Sequence, residues 1–302
     1  MISPDQLKRI LLLTALLAPT LGVADSLCPG SREEKAADAQ FARAQQAEKA
    51  GRWAEAYDAA TRANSDCVRS PNEVRALQHR TAQKLGQEAE RKQDLERAFR
   101  WYQSAEALPD ADRVKLAQAK KRPTDVGVMS GAIDWFKRRG DEPDLREVRA
   151  IAARNADRAF AAEERAFAGF GHDSLEALDS ARSWLGYAAA GDQRALVRAE
   201  QRGDTLAADD TRASLGLALR YYQAAGKDEK RKSVREKARR LGEAHAAKGE
   251  ASMAADFFAL AGDEARASKV REAARSKDEK AEKTRQKTFE KDQSRLEKEL
   301  GL

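Results

Sequence analysis

The chain has 302 residues, of which 35% are charged, 41% hydrophobic and only 6% aromatic. Alanine is abundant beside arginine, glutamate, lysine, glutamine and leucine, which favour helix, so the composition predicts an all-α protein and excludes β-sandwiches, barrels and doubly wound sheets. Lysine and arginine number 56 against 50 acidic residues, a formal net charge of +6. Because the two signs are interleaved along the sequence, we expect a mixed solvated surface and no nucleic-acid partner.

The N-terminal segment has the pattern of a secretory signal peptide. Lys8 and Arg9 form a short basic region, and residues 10–24 are an apolar run that ends in small residues. This run is shorter than the about 20 residues that span a bilayer, so we predict a signal peptide at residues 1–24, cleaved after Ala24. The mature protein would have no membrane span and would be periplasmic or secreted. An uncleaved anchor is the alternative.

The only two cysteines, Cys28 and Cys67, both follow the predicted cleavage site. An even pair in an oxidising compartment indicates a disulfide. Residues 31–34 (SREE) look like a capping box that starts a helix, which would turn at Gly51 and return to about residue 64. The cysteines would then flank the two ends of one hairpin, close in space, so we predict that they pair. Two free thiols are the alternative, and no histidine lies near enough to suggest a metal site.

Self-similarity with a period near 35 residues is the most informative feature. Residues 218–226 (ALRYYQAAG) and 254–262 (AADFFALAG) align at an offset of 36 residues. In each, small residues would let neighbouring helices approach while an aromatic side chain fills the space between them. The same frame fits segments centred on Tyr102 and Phe136, and looser copies centre on Tyr57 and Tyr187.

Glycines mark both ends of the predicted helix pairs. In each repeat, we call the helix that carries the aromatic residue the aromatic helix. Four glycines are predicted to end these helices and to take a left-handed backbone conformation: Gly140, Gly191, Gly226 and Gly262. Aspartates that follow three of them are predicted to cap the next helix: Asp141, Asp192 and Asp263. Turns at the opposite end of the pairs are predicted at Gly51, Gly203 and Gly249. No pair buries enough apolar surface alone, so stacked neighbours must supply the core.

The chain combines this spacing with a glycine at the inner turn and an Ala-Tyr/Phe-Ala helix after that glycine. In these features it resembles tetratricopeptide-like repeat proteins. Residues 47–63 (AEKAGRWAEAYDAATRA) and 245–261 (HAAKGEASMAADFFALA) carry the resemblance best, and it covers roughly residues 33–275. It implies a right-handed superhelix whose concave surface binds a protein or peptide, without enzymatic activity. We therefore expect a right-handed α-solenoid of about six antiparallel helix hairpins at residues 25–275.

The last segment, residues 276–302, differs from the repeats and is predicted to be a charged C-terminal helix or tail. Its few large apolar residues include Phe289 and Leu296, seven positions apart, and Leu300. That spacing would suit a short coiled-coil seam, but the three heptads needed for one are absent. A solvated helix is the expectation, and a helix that docks on a partner is the alternative.

The sequence contains no recognisable catalytic, cofactor-binding or metal-binding motif. The three histidines, His79, His172 and His245, are isolated from one another and from the cysteines. Carboxylates accompany arginine or lysine on most helical turns, so no acid and base pair can be selected. We therefore expect no enzyme, no cofactor and no metal.

Two sets of residues are candidates for binding. Arg149, Arg235 and Arg271 recur at one repeat position and are expected to pair with local acids such as Glu236 or Glu272; the alternative is that they line a concave groove for an acidic partner. Four tryptophans occur in the aromatic helices of different units. We expect them to pack between helices; the alternative is an exposed row of aromatic side chains that binds a glycan or peptide. The four are Trp53, Trp101, Trp135 and Trp184.

The expected function is that of an exported, non-catalytic scaffold or adaptor. A preformed concave surface would bind a segment of another protein during envelope assembly or secretion. A cell-wall (peptidoglycan) binding protein and a periplasmic chaperone are the alternatives.

Overall fold

A computed structural model of the protein describes residues 28–63, 67–169 and 173–300, with side chains through residue 295. These residues form thirteen α-helices and no strand, which confirms the all-α prediction. The predicted signal peptide, residues 1–24, lies outside the described residues. The side chains of Leu296 and Leu300 do so as well.

The helices follow one another through short turns. In chain order they are α1 (Arg32–Lys49), α2 (Trp53–Ala63), α3 (Pro71–Arg91), α4 (Leu95–Ser104), α5 (Leu108–Lys121), α6 (Val126–Arg139), α7 (Glu142–Ala168), α8 (Asp173–Tyr187), α9 (Gln193–Ala207), α10 (Arg212–Ala224), α11 (Asp228–Ala247), α12 (Ala251–Leu260) and α13 (Glu264–Leu300).

The chain divides into two compact units, unit 1 (Met1–Val148) and unit 2 (Arg149–Leu302). In unit 1, consecutive helices pack against each other from α1 to α6, and α1 also contacts α3. In unit 2, the helices from α8 to α13 pack in the same sequential manner, and α10 also contacts α12. Each unit therefore builds its core from chain neighbours. The prediction of one repeat domain over residues 25–275 stays a prediction.

The first helix pair forms as the sequence predicts. Ser31 caps α1, because its Oγ accepts a hydrogen bond from the backbone N–H of Glu34 at 3.0 Å. The helix ends before Gly51, whose φ of +69° is left-handed, and α2 starts at Trp53. The Sγ atoms of Cys28 and Cys67 are 2.03 Å apart and their Cα atoms 5.0 Å apart. The predicted pairing of these cysteines is thus confirmed as a contact at disulfide distance.

The four glycines predicted to end aromatic helices all have a left-handed φ, between +67° and +80°. The carboxylates of Asp141 and Asp263 each accept a backbone N–H of the next helix, at 3.2 and 3.1 Å. The prediction for Asp192 is wrong, since it forms no capping bond. Its carboxylate lies 2.7 Å from the guanidinium of Arg182 instead.

The inner turns depart from the predicted pattern in two ways. Gln93, with φ +61°, takes the left-handed position between α3 and α4 without being a glycine. Gly203 does not form a turn, because it lies inside α9. A Cβ atom at Gly203 would lie 2.6 Å from Cε1 of Tyr222, so this glycine lets the tyrosine ring pack against the helix backbone.

The buried interior consists mostly of alanines at helix contacts, with one or two buried aromatic residues in each of the stronger repeat copies. The side chains at the four centres of the stronger copies are buried: Tyr102, Phe136, Tyr222 and Phe258. The centres of the two looser copies, Tyr57 and Tyr187, are only partly buried. The aromatic position read from the sequence is therefore a core position.

Candidate functional site

The three arginines predicted to bind a partner lie on three helices of unit 2, Arg149 on α7, Arg235 on α11 and Arg271 on α13. Arg235 and Arg271 are exposed. Neither has an ion pair among the described side chains, so the expected local pairing is not observed. Arg149 is partly buried, and its Nε has no hydrogen-bond partner in the described part of the chain. Their role in binding stays a prediction.

Arg271 lies in a groove of about 430 Å³ between α12 and α13. The lining carries both signs, with Arg271 and Arg275 beside acidic side chains that include Asp256 and Glu279. Because acidic residues outnumber the arginines, the groove offers no preference for an acidic ligand.

Two of the four tryptophans, Trp101 and Trp135, pack between helices, as expected. Trp101 meets Tyr57 edge to face with ring centroids 5.0 Å apart, and Trp135 meets Phe99 in the same way at 5.0 Å. The indole N–H of Trp135 also donates to Asp112 at 2.7 Å. These contacts link α2 to α4, α4 to α6 and α6 to α5. All four tryptophans are buried or partly buried, so they form no exposed aromatic ladder.

A buried charge network ties α7 to α9 in unit 2. The side chain of Glu163 is fully buried and lies 2.7 Å from Arg198 and 2.9 Å from Arg202. Arg202 also stacks over the ring of Phe167, 4.0 Å from its centroid. Removing both arginines would leave Glu163 as an uncompensated buried charge. The network is therefore structural, and the spacing of its arginines by four along α9 is a signal that the sequence analysis missed.

Two tyrosines anchor similar clusters. In unit 1, the hydroxyl of Tyr102 donates to Glu90 at 2.9 Å, and Glu90 also accepts hydrogen bonds from Arg113. The hydrogen bond from Arg113 holds the pKa of Glu90 below its usual range, and burial raises the pKa of Tyr102 to about 12. In unit 2, Tyr222 donates to Asp204 at 2.7 Å. The cluster of unit 1 joins the three successive helices α3, α4 and α5, and the pair in unit 2 joins α9 and α10.

A cleft with a volume of about 540 Å³ lies in unit 2. It opens beside α10, between the last turn of α9 and the last residue of α12. Its lining is mainly apolar: Leu206, Arg212, Ala213, Ser214, Gly216, Leu217, Arg220 and Leu260. Such a volume is within the range of about 300–1,000 Å³ that is typical of ligand sites.

The cleft exists because α10 has apolar residues around most of its circumference. Leu215 faces the core and is fully buried, whereas Leu217 on the opposite side is only partly buried. Gly216 adds no side chain, and a Cβ there would only touch Leu260, at 3.6 Å. The run LGLAL at residues 215–219 is the signal for this surface in the sequence, because an ordinary amphipathic helix is apolar on one side.

Charge at the edge of the cleft is positive. Arg212 and Arg220 line it and are both exposed, and no acidic residue does. Arg212 has no ion pair with any described residue, so its guanidinium is available to a carboxylate of a ligand. The cleft can therefore accept an apolar group next to a negative charge.

Comparison of the chain with protein-family models, with curated proteins and with solved structures gives no match. Within the described ranges, no three histidine, cysteine, aspartate or glutamate side chains come together as metal ligands. None of the described helices is both long enough and apolar enough to cross a bilayer.

Proposed function

We propose that the protein is an exported, non-catalytic adaptor that binds a segment of another protein. In this proposal the helix pairs are antiparallel hairpins of a right-handed α-solenoid, as in tetratricopeptide-like repeats, and the cleft beside α10 holds the segment. The observation that carries the proposal is this cleft, apolar within and positive at its edge.

The cysteine pair supports export. Cys28 and Cys67 are at disulfide distance, and disulfides persist in oxidising compartments. The pair therefore fits a protein outside the cytoplasm. The proposed location is the periplasm or the extracellular space, after cleavage of residues 1–24.

The cleft supports a specific kind of segment. Leu206, Leu217 and Leu260 offer apolar contacts, and a leucine or an aromatic side chain fits the available volume. Arg212 would pair with an aspartate or glutamate beside that side chain. A glycan needs exposed aromatic faces, and all four tryptophans are buried or partly buried, so a protein partner is favoured over peptidoglycan.

The proposal is tested with peptides selected on the full-length protein from a displayed random library. We expect the enriched peptides to share an apolar residue next to an acidic one. The variant Gly216→Phe places a ring in the cleft and should weaken their binding at least tenfold. The matched control is Gly186→Phe in α8, where the new Cβ would meet nothing within 4 Å.

Two results would contradict the proposal. One is a selected peptide set without the apolar and acidic pair, and the other is equal binding by wild type and Gly216→Phe. Sedimentation of the protein with purified cell wall, unchanged in Gly216→Phe, would favour the glycan function instead. Fractionation of cells, with wild type and a variant lacking residues 1–24, tests export separately.

A further inference from the structure

The distal part of α13 has no neighbour among the described residues that covers it. Helix α13 packs against α12 near its start, and Ala267 there is buried. From residue 275 to residue 295, every side chain is exposed. The side chains of these 21 consecutive residues are thus all exposed to solvent.

Charges that alternate along this sequence are separated on the helix. At about 100° per residue, six basic residues fall within about one third of the circumference, and no aspartate or glutamate does. The other residues of this sector are serine or threonine. We call this sector the basic face; its charged members are Lys277, Lys280, Lys283, Lys287, Lys291 and Arg295.

The opposite side of the same segment carries the acids. Five acidic residues lie there: Asp278, Glu279, Glu282, Glu290 and Asp292. Phe289 lies on the same side, with 69% of its side chain exposed. The two faces thus differ in sign along about 27 Å of helix, at 1.5 Å per residue. None of the five lysines of the basic face is ion-paired with a described residue, so their charge is not neutralised within the chain.

We propose that the basic face of α13 binds the surface of an anionic phospholipid bilayer, with the helix lying flat on the headgroups. This proposal is independent of the cleft beside α10. A plane of phosphates needs only positive charge over a broad sector, which is what this face provides.

The shape of the face favours a bilayer over a partner helix. Two helices that pair in water need an apolar seam between them, and the basic face contains no apolar side chain. Phe289 points to the acidic side, away from the bilayer in the proposed orientation. The helix therefore rests on the phosphates and does not insert into the hydrocarbon.

The test is co-sedimentation of the full-length protein with vesicles. One set contains equal parts of phosphatidylglycerol and phosphatidylcholine, and the other contains phosphatidylcholine alone. We expect binding to the anionic vesicles only, and strong weakening when the salt concentration is raised, because the Debye length falls from about 10 Å at 0.1 M to about 3 Å at 1 M.

Two double variants of equal charge separate the basic face from net charge. Lys280→Gln with Lys287→Gln removes two charges from the face, and Arg275→Gln with Arg285→Gln removes two from the opposite side of the same helix. Each lysine near an anionic surface contributes about fivefold in affinity. We therefore expect about a thirtyfold loss for the first variant and less than threefold for the second.

Equal losses in the two double variants would overturn the proposal, because net charge alone would then explain binding. Equal binding to neutral vesicles would also overturn it. So would tight binding to duplex DNA or to an acidic peptide without binding to anionic vesicles. Circular dichroism of each variant confirms that α13 remains helical in the proteins compared.

Discussion

Two segments, one in each unit, have the same design with different side chains. In unit 1, α4 (Leu95–Ser104) follows the left-handed Gln93, and in unit 2, α12 (Ala251–Leu260) follows the left-handed Gly249. The helix boundaries and left-handed residues between residues 86 and 108 all have counterparts between residues 242 and 264. The difference in residue number is the same for each of these pairs.

The comparison shows which features the repeat retains. Both segments place a glycine of the first helix against the aromatic ring of the second, Gly86 against Tyr102 and Gly242 against Phe258. The polar contacts differ, since Tyr102 donates to Glu90 whereas Phe258 has no hydroxyl to donate. Close approach of a ring to a helix backbone is therefore the common structural unit, and the hydrogen bonds around it vary.

Loss of the ring should have the largest effect in both segments. Tyr102→Ala and Phe258→Ala each remove a buried aromatic side chain, and we expect each to lower the free energy of unfolding by about 3–5 kcal/mol. Chemical denaturation of the full chain measures the effect. A loss below about 1 kcal/mol in either segment would show that its ring is not a core element.

The glycines that contact the aromatic rings should lose stability when a side chain is added, even though alanine favours helix. A Cβ at Gly86 would lie 2.7 Å from Cε1 of Tyr102, and one at Gly242 would lie 3.0 Å from Cδ1 of Phe258. We expect Gly86→Ala to cost about 1–3 kcal/mol and Gly242→Ala to cost less.

Gly216→Ala provides the control for these two substitutions. It lies within a helix with only ordinary contact to Leu260, and it should gain up to about 1 kcal/mol from helix propensity. A gain in stability for Gly86→Ala as well would contradict the close packing against Tyr102.

The left-handed residues at the two turns can be exchanged for each other by substitution. Gln93 has φ +61° where Gly249 has φ +77°, and a side chain in this conformation costs about 1–2 kcal/mol. We expect Gln93→Gly to raise the unfolding free energy by about 1 kcal/mol and Gly249→Gln to lower it by a similar amount. No atom lies within 4 Å of a Cβ at Gly249, so a large loss there would point to a cause other than backbone strain.

The polar cluster of unit 1 should make a smaller, pH-dependent contribution. The hydrogen bond from Arg113 holds the pKa of Glu90 below its usual range. A carboxylate with a lowered folded pKa stabilises the fold above its unfolded pKa, and this stabilisation is lost as the pH falls through the folded pKa. Glu90→Gln should therefore flatten the decline in stability below about pH 4.5. Glu88→Gln, on the same helix and without an ion pair among the described side chains, should leave the decline unchanged.

The sequence was sufficient to predict what depends on local rules. Helical composition, the first helix pair, the cysteine pairing and the left-handed Gly226 and Gly262 all follow from propensity, capping and spacing. It was insufficient where a contact across helices decides the outcome. Gly203 looked like a turn but accommodates Tyr222, and Gln93 occupies a turn that the pattern assigns to glycine.

The candidate site was harder to predict than the fold, because it depends on what neighbouring helices leave uncovered. The cleft forms where Gly216 and Leu217 face a gap beside Leu260, and the run LGLAL indicates an apolar surface there but not the gap. The basic face of α13 was hidden for a related reason. Lysine and glutamate alternate in the sequence, and only the helical period separates them.

The comparison of the units also provides the most direct test of the proposed adaptor function. Leu217 lies five residues before the packed Tyr222, and in unit 1 the residue five before Tyr102 is the exposed Arg97. A photo-crosslinking amino acid is placed at position 217 or at position 97 of the full-length protein in living cells. The adaptor proposal predicts one discrete adduct with another protein from position 217, lost in Gly216→Phe, and none from position 97. Absence of an adduct at position 217, or the same adducts from both positions, would contradict it.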